Sequence, residues 1–272
     1  MLTLSGILTL SALIAPLIFP LAPSTSAGVK PAALYNVDNR HPMSAADYRR
    51  FHGAGILFCR DDDGVPQKAA AAWLIGSRKL VMMNAHNFID RKIRVTRTIS
   101  SCFFQIGGKN YDFDPQSLRL GIGPGAVTLD ISDDWALAQL RKPVDPTVLP
   151  QPIPETPKLL TGLRDIKVTM VSPAGHANFT GAGSGSDSIE SCMIHEIDPP
   201  NGGTIRRVRH DCNDGFGGSG SGLFDEADHL IAMQSASLNM NRRLAFDIEL
   251  HYGSALLIEG RFRDAIIAEA RK

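Results

Sequence analysis

The chain has 272 residues, 43% of them hydrophobic, which is enough for a sizeable core in one or two domains. Lysine plus arginine and aspartate plus glutamate each number 28, so the formal net charge is zero. Without a basic excess, the composition argues against a nucleic-acid partner or an anionic membrane surface.

Met1 to Ala27 carries no charged side chain. Leu2 to Ala22 is mostly apolar, is broken by Pro16 and Pro20, and leads to the small residues Thr25, Ser26 and Ala27. This is the pattern of a secretory signal peptide, although the usual cationic start is missing. An uncleaved anchor is the alternative, because the run is about long enough to span a bilayer. The prolines and the small residues favour cleavage, which leaves no stable membrane association. Four cysteines, Cys59, Cys102, Cys192 and Cys212, fit an oxidising compartment, secreted or periplasmic. No Cys-x-x-Cys spacing occurs, so no zinc site is expected. Three disulfide pairings are open.

Residues 28–52 read as an extended N-terminal arm with Pro31, Pro42 and the run Asp38-Asn39-Arg40. Residues 53–141 then alternate strand-like runs with turns. Gly55–Cys59 is β-prone, and Asp61–Gly64 is a solvated turn. Ala70–Ile75 pairs naturally with Leu80–Met83 across Gly76-Ser77-Arg78. Ile93–Ile99, Cys102–Ile106, Lys109–Phe113, Val127–Ile131 and Trp135–Leu140 complete a first set of about six strands. Residues 142–158 contain six prolines, which suit neither a central strand nor a helix interior. They read as a stiff connector between two bodies.

Residues 159–260 repeat the style. Strand candidates are Ile166–Val171, Ser188–Ile197, Thr204–His210, Ser221–Phe224, His229–Ser235 and Leu244–Ile248. Gly181–Ser186 is a Gly/Ser loop. In residues 261–272, Phe262, Ala265, Ile266 and Ala270 recur at helical spacing. Many short strands and one late helix predict an all-β fold of two antiparallel six-stranded β-barrels with a C-terminal helix. An α/β hydrolase would need alternating helices and a Gly-x-Ser-x-Gly elbow, and neither Ser219 nor Ser221 has glycine both two residues before and two residues after it.

The run Asp211 to Phe224 holds five glycines and two serines, then becomes apolar at Leu223 and Phe224. A serine among glycines can sit on a tight turn with backbone N–H groups to one side, which suits a nucleophile beside an oxyanion hole. A flexible linker is the plain alternative. Upstream, Leu80–Met83 leads to Asn84-Ala85-His86, and Asp134 leads into Trp135-Ala136-Leu137. The order is His, Asp, Ser. These motifs, with Gly217-Gly218-Ser219-Gly220-Ser221-Gly222, resemble the Ala-Ala-His, Asp-Ile-Ala-Leu and Gly-Asp-Ser-Gly-Gly-Pro hallmarks of the trypsin-like serine peptidases. The match is closest to their bacterial glutamyl-endopeptidase-like branch, where Asp38-Asn39-Arg40 and Gly-x-Ser-Gly-Ser also find counterparts.

The resemblance implies a secreted serine endopeptidase acting on protein or peptide substrates, monomeric and without cofactor or metal. It implies His86, Asp134 and Ser219 as triad and the N–H groups of Gly217 and Ser219 as oxyanion donors. Asn213 would lie near the floor of the specificity pocket, with Gln234 and Ser235 in its wall. Gln234 stands where glutamyl-specific relatives carry histidine. Alternatives are Asp133 for the acid, Ser221 for the nucleophile and His210 for the base. A catalytically silent, peptide-binding domain is the alternative function, and an esterase on another fold a weaker third.

Asn87 replaces the cysteine that usually follows the histidine. Cys59 is therefore expected to join Cys102, and Cys192 to join Cys212, one bridge per half. Gly218 replaces the aspartate that usually precedes the nucleophile, so an inserted N-terminal ammonium would lack its acid unless Asp214 or Asp211 supplies one. Packing of Phe216 and the Cys192–Cys212 bridge are expected to order the loop instead.

Overall fold

A computed structural model describes residues 32–35, 37–156, 159, 164–177, 186–200, 205–215, 217–239 and 242–272. The signal-like segment Met1–Ala27, Phe216 and most of the Gly181–Ser186 loop lie outside them.

Two antiparallel sheets form the body. The second closes into a barrel of six strands, in the order Ser186–Ile197, Arg207–His210, Gly253–Leu257, Leu230–Ser237, Gly222–Phe224, Ile166–Ala177 and back to the first. The first sheet has seven strands, one more than the sequence suggested. Its order is Lys109–Asp112, Cys102–Ile106, Ala54–Arg60, Pro66–Leu74, Leu80–Met83, Ala136–Gln139 and Arg119–Leu120. It is curled rather than fully closed, and a single bridge between Phe113 and Leu140 links its two sides. The extra strand is the two-residue Arg119–Leu120, which pairs with Leu137 and Ala136.

One apolar cluster joins the sheets. Trp73, Leu80, Met82 and Leu137 from the first meet Val171, Phe224, Met233 and Leu256 from the barrel. The C-terminal helix, Gly260–Ala270, buries Phe262, Ala265 and Ile266 in the same cluster. Each large side chain so buried contributes roughly 1.5–3 kcal/mol. The expected bridges are present: Cys59–Cys102, between directly opposed strand residues, and Cys192–Cys212.

Three expected strands are not strands. Ile93–Ile99 is a loop in which Ile93 takes φ 59°, ending in the one-turn helix Ile99–Ser101. Its one bridge, Val95 to Ile89, does not extend into a ladder, and Val95 stays exposed. Val127–Ile131 is irregular and runs into the one-turn helix Ile131–Asp133. Leu244–Ile248 has only a bridge from Asp247 to His251. In its place Gly253–Leu257 supplies the sixth barrel strand.

The arm is not simply extended. Ala32–Leu34 forms a small sheet between Asp214–Gly215, antiparallel, and Arg242–Arg243, parallel. Ala45–Arg50 is a short helix with a Ser44–Asp47 capping box. Among the described residues, no helix is long and apolar enough to cross a membrane.

Candidate active site

The strand Leu80–Met83 is wholly buried and ends at Asn84, where the chain turns into the one-turn helix Ala85–Asn87. The turn leaves the His86 ring about one-third exposed, while Ala85 and Asn87 point inward. Asp134 terminates the turn Ile131–Asp133, which Asp130 caps by accepting from the Ser132 N–H. Asp134 is 3% exposed. Its Oδ1 accepts from the His86 backbone N–H at 2.8 Å, and its Oδ2 lies 2.7 Å from His86 Nδ1. Asn84 Nδ2 and the Ser235 hydroxyl also donate to Asp134. These donors hold the carboxylate in one orientation and fix the proton of His86 on Nδ1.

His86 Nε2 is left facing Ser219 Oγ at 2.9 Å. Burial disfavours the imidazolium, but the charge of Asp134 and its hydrogen bond outweigh burial and raise the His86 pKa above its ordinary 6.5. Three segments 48 and 133 residues apart thus form one hydrogen-bonded line.

Glycines shape the loop that carries Ser219. Gly217 takes φ 98° and Gly220 φ 83°, both in the left-handed region that favours glycine. A Cβ on Gly220 would fall 2.2 Å from the Ala71 carbonyl oxygen. That close approach is used: Ala71 N–H donates to the carbonyls of Ser219 at 2.8 Å and Gly217 at 3.1 Å, and Trp73 Nε1 donates to Gly220 O at 2.8 Å. The first sheet therefore clamps a loop belonging to the barrel. Gly218 N–H donates to Gly215 O, whereas the N–H groups of Gly217 and Ser219 meet no carbonyl among the described residues.

The alternatives have other partners. Ser221 is fully buried and donates to Gly218 O, and its hydroxyl also meets Ser172. Asp133 pairs with Arg261. His210 is buried in the barrel, with Cys212 N–H donating to its Nδ1 and its Nε2 donating to Gln234 Oε1 at 2.7 Å.

Asn213, Gln234 and Ser235, expected at the floor and wall of the specificity pocket, turn their side chains to internal partners. All three are buried. Ser235 supports Asp134. Gln234 spends its amide internally, accepting from His210 and donating to Asp214 Oδ2 at 3.1 Å and Ala236 O at 3.0 Å. Asn213 ties the barrel to the arm, accepting from Tyr35 N–H at 2.9 Å and donating to Val37 O at 2.9 Å and Glu190 Oε2 at 3.0 Å. Residue type alone marked these side chains as polar; only their distant partners show that the polarity is consumed inside.

Two further residues matter electrostatically: Asp214, one of the two substitute acids named from the sequence, and Glu190, which the sequence did not single out. Asp214 reaches under Gly218, where an added Cβ would fall 1.4 Å from Asp214 Oδ1. An acid therefore does lie beneath the residue before Ser219, supplied from four positions earlier. Burial raises the Asp214 pKa despite hydrogen bonds from Gly215 N–H and Gln234 and the charge of Arg40. Burial likewise pushes Glu190 up to about 8, against the hydrogen bonds of Asn213, and pushes His210 down to about 4.

A carboxyl held protonated by the fold costs stability as pH rises from its ordinary 4.5 towards 8, by about 1.4 kcal/mol per pH unit. An imidazole held neutral costs stability as pH falls from 6.5 towards 4, with the opposite slope. The two contributions cancel between 4.5 and 6.5; above 6.5 the Glu190 decline continues, joined by that of His86, whose raised pKa also makes stability fall as pH rises. Glu190→Gln should make the fall of the urea-unfolding midpoint between 6.5 and 8 less steep. A decline of unchanged steepness in the variant would assign it to another group.

No protein-family model and no curated protein matches the sequence. Among solved structures, the chain is similar to a Glu endopeptidase in complex with MPD, with a TM-score of 0.57 at 12% sequence identity. The alignment covers 88% of this chain and all of the other. That likeness establishes a fold in common, the chymotrypsin-like arrangement of two β-bodies and a C-terminal helix.

Proposed function

We propose that the chain is a serine endopeptidase working through an acyl-enzyme. The hydrogen-bonded line Asp134–His86–Ser219 carries this reading. Ser219 Oγ attacks the scissile carbonyl carbon, and His86 Nε2 takes the hydroxyl proton. The tetrahedral oxyanion rests on the N–H groups of Gly217 and Ser219. As it collapses, the C–N bond breaks and His86 returns the proton to the leaving amine. Water then attacks the ester by the same route, regenerating Ser219. Asp134 stabilises the imidazolium without taking its proton. The chemistry needs neither metal nor cofactor.

The substrates are proteins or peptides. Two disulfides and a peptidase-like fold support an extracytoplasmic location. The organisation we propose has the triad's His and Asp in residues 53–141, the linker in 142–158 and the nucleophile in 159–260.

A fluorophosphonate probe tests the reading directly. The wild-type protein should be labelled on Ser219, and Ser219→Ala should not be labelled at all. An unlabelled wild type would favour a silent, peptide-binding domain.

A further inference from the structure

The arm does more than cover the barrel. Its strand Ala32–Leu34 pairs with Asp214–Gly215, at Ala32–Gly215 and Ala33–Asp214. The arm then delivers Arg40, whose side chain is only 4% exposed. Burying a guanidinium is costly unless its donors are satisfied. Here Nε and Nη2 grip the two oxygens of Asp38 at 2.8 and 2.9 Å, and Nη1 donates to the Asp214 carbonyl at 3.2 Å. Asp38 is itself about one-third exposed. The pair therefore has a solvated acid at the surface and a cation driven inward against the backbone of the nucleophile loop.

The loop is tied to the barrel interior at the same point. The Asp214 carboxylate accepts from Gly215 N–H at 2.7 Å and from Gln234. It occupies the space over Gly218 that a side chain would need. Gly218 lies between the two residues whose N–H groups would receive the oxyanion. Any shift of the Asp214 peptide is thus transmitted, through the carboxylate and the Gly218–Gly215 hydrogen bond, to both donors.

We infer that Arg40 is a positioning residue for the nucleophile loop: an internal cation, brought by the docked arm, that fixes the Asp214 backbone and so the donor geometry beside Ser219. The inference rests on the serine-peptidase reading for its kinetic consequence, and on geometry alone for its structural one. A permanently charged guanidinium within the chain makes a chain-terminal ammonium unnecessary at this place. Chains beginning at Gly28 should accordingly tolerate one to three added residues without loss of activity.

The test compares Arg40→Ala, Arg40→Lys and Arg50→Ala. Arg50 belongs to the same arm but pairs with Asp228 at the surface, so it controls for general loosening of the arm. Arg40→Ala should lower kcat about 100-fold with KM changed little, because the misplaced donors act on the transition state. Dilute guanidinium should restore much of the loss. Arg40→Lys, which cannot grip Asp38 bidentately and reach Asp214 together, should lie between. Arg50→Ala should keep wild-type kcat. If Arg40→Ala does not fold, the lysine variant decides alone.

Hydrogen exchange of the Gly215–Ser221 amides provides a readout free of activity, and should quicken in the Arg40 variants only. Wild-type kcat in a folded Arg40 variant, or loop exchange equal to that of Arg50→Ala, would overturn the inference. If the wild type neither cleaves nor is labelled, the peptidase reading fails, and exchange still decides whether Arg40 orders the loop.

Discussion

Asp134→Asn is expected to lower turnover about 10⁴-fold while leaving the fold intact. The size follows from what the carboxylate accepts. Both oxygens of Asp134 take donors: the His86 backbone N–H and Nδ1, Asn84 Nδ2 and the Ser235 hydroxyl. An asparagine supplies one acceptor oxygen and one NH₂ group. With its oxygen kept on the His86 backbone N–H, its NH₂ group faces Nδ1 and drives the ring proton to Nε2. That tautomer cannot accept from Ser219, so the nucleophile loses its base. Steady-state kinetics on a peptide substrate, with circular dichroism to confirm folding, checks the outcome. Asp133→Asn is the control, since Asp133 serves Arg261 and not the histidine. A severe loss from Asp133→Asn together with a mild one from Asp134→Asn would reassign the acid.

Gly218→Ala should also damage activity, by about 100-fold, for a steric reason. The new methyl would stand 1.4 Å from Asp214 Oδ1, and Asp214 has no free space to retreat into because it is buried and bonded to Gly215 and Gln234. Overpacking of this kind typically costs about 1–3 kcal/mol of stability. A displacement of the loop near 1 Å costs about 100-fold in rate. Removing the carboxylate should relieve the collision, so Asp214→Gly combined with Gly218→Ala should be more active than Gly218→Ala alone. Strict additivity of the two changes would mean that the acid and the glycine do not share this space.

The residues that line up across the site were legible because each sits at the end of a strongly patterned run. Leu80–Met83 is uniformly apolar and is a strand at those bounds, which fixes His86 at its exit. The apolar run after Asp134 is likewise the strand Ala136–Gln139. Where pattern and fold diverge, tertiary context explains it. Gly253–Leu257 begins with small residues that signal a turn, yet it is a strand because it pairs with both Arg207–His210 and Leu230–Ser237, and Gly253 leaves room for the His210 ring, 2.1 Å from where its Cβ would lie. Ile93–Ile99 alternates as a strand does but finds no partner strand. The supporting shell was illegible for a related reason. Ser235 meets Asp134 across 101 residues and Arg40 meets Asp214 across 174, distances over which no local pattern carries information. The role first given to Phe216 lies outside the described residues.

The two tryptophans have an experimental consequence. Trp73 bonds the Gly220 carbonyl one residue past Ser219, and Trp135 adjoins Asp134 while stacking on Phe262. The chain has no others. Its whole indole emission therefore comes from the two ends of the line Asp134–His86–Ser219. The protein carries a built-in optical reporter, one fluorophore reading the nucleophile loop and the other the acid. Selective replacement of either with phenylalanine would separate their signals without adding a dye.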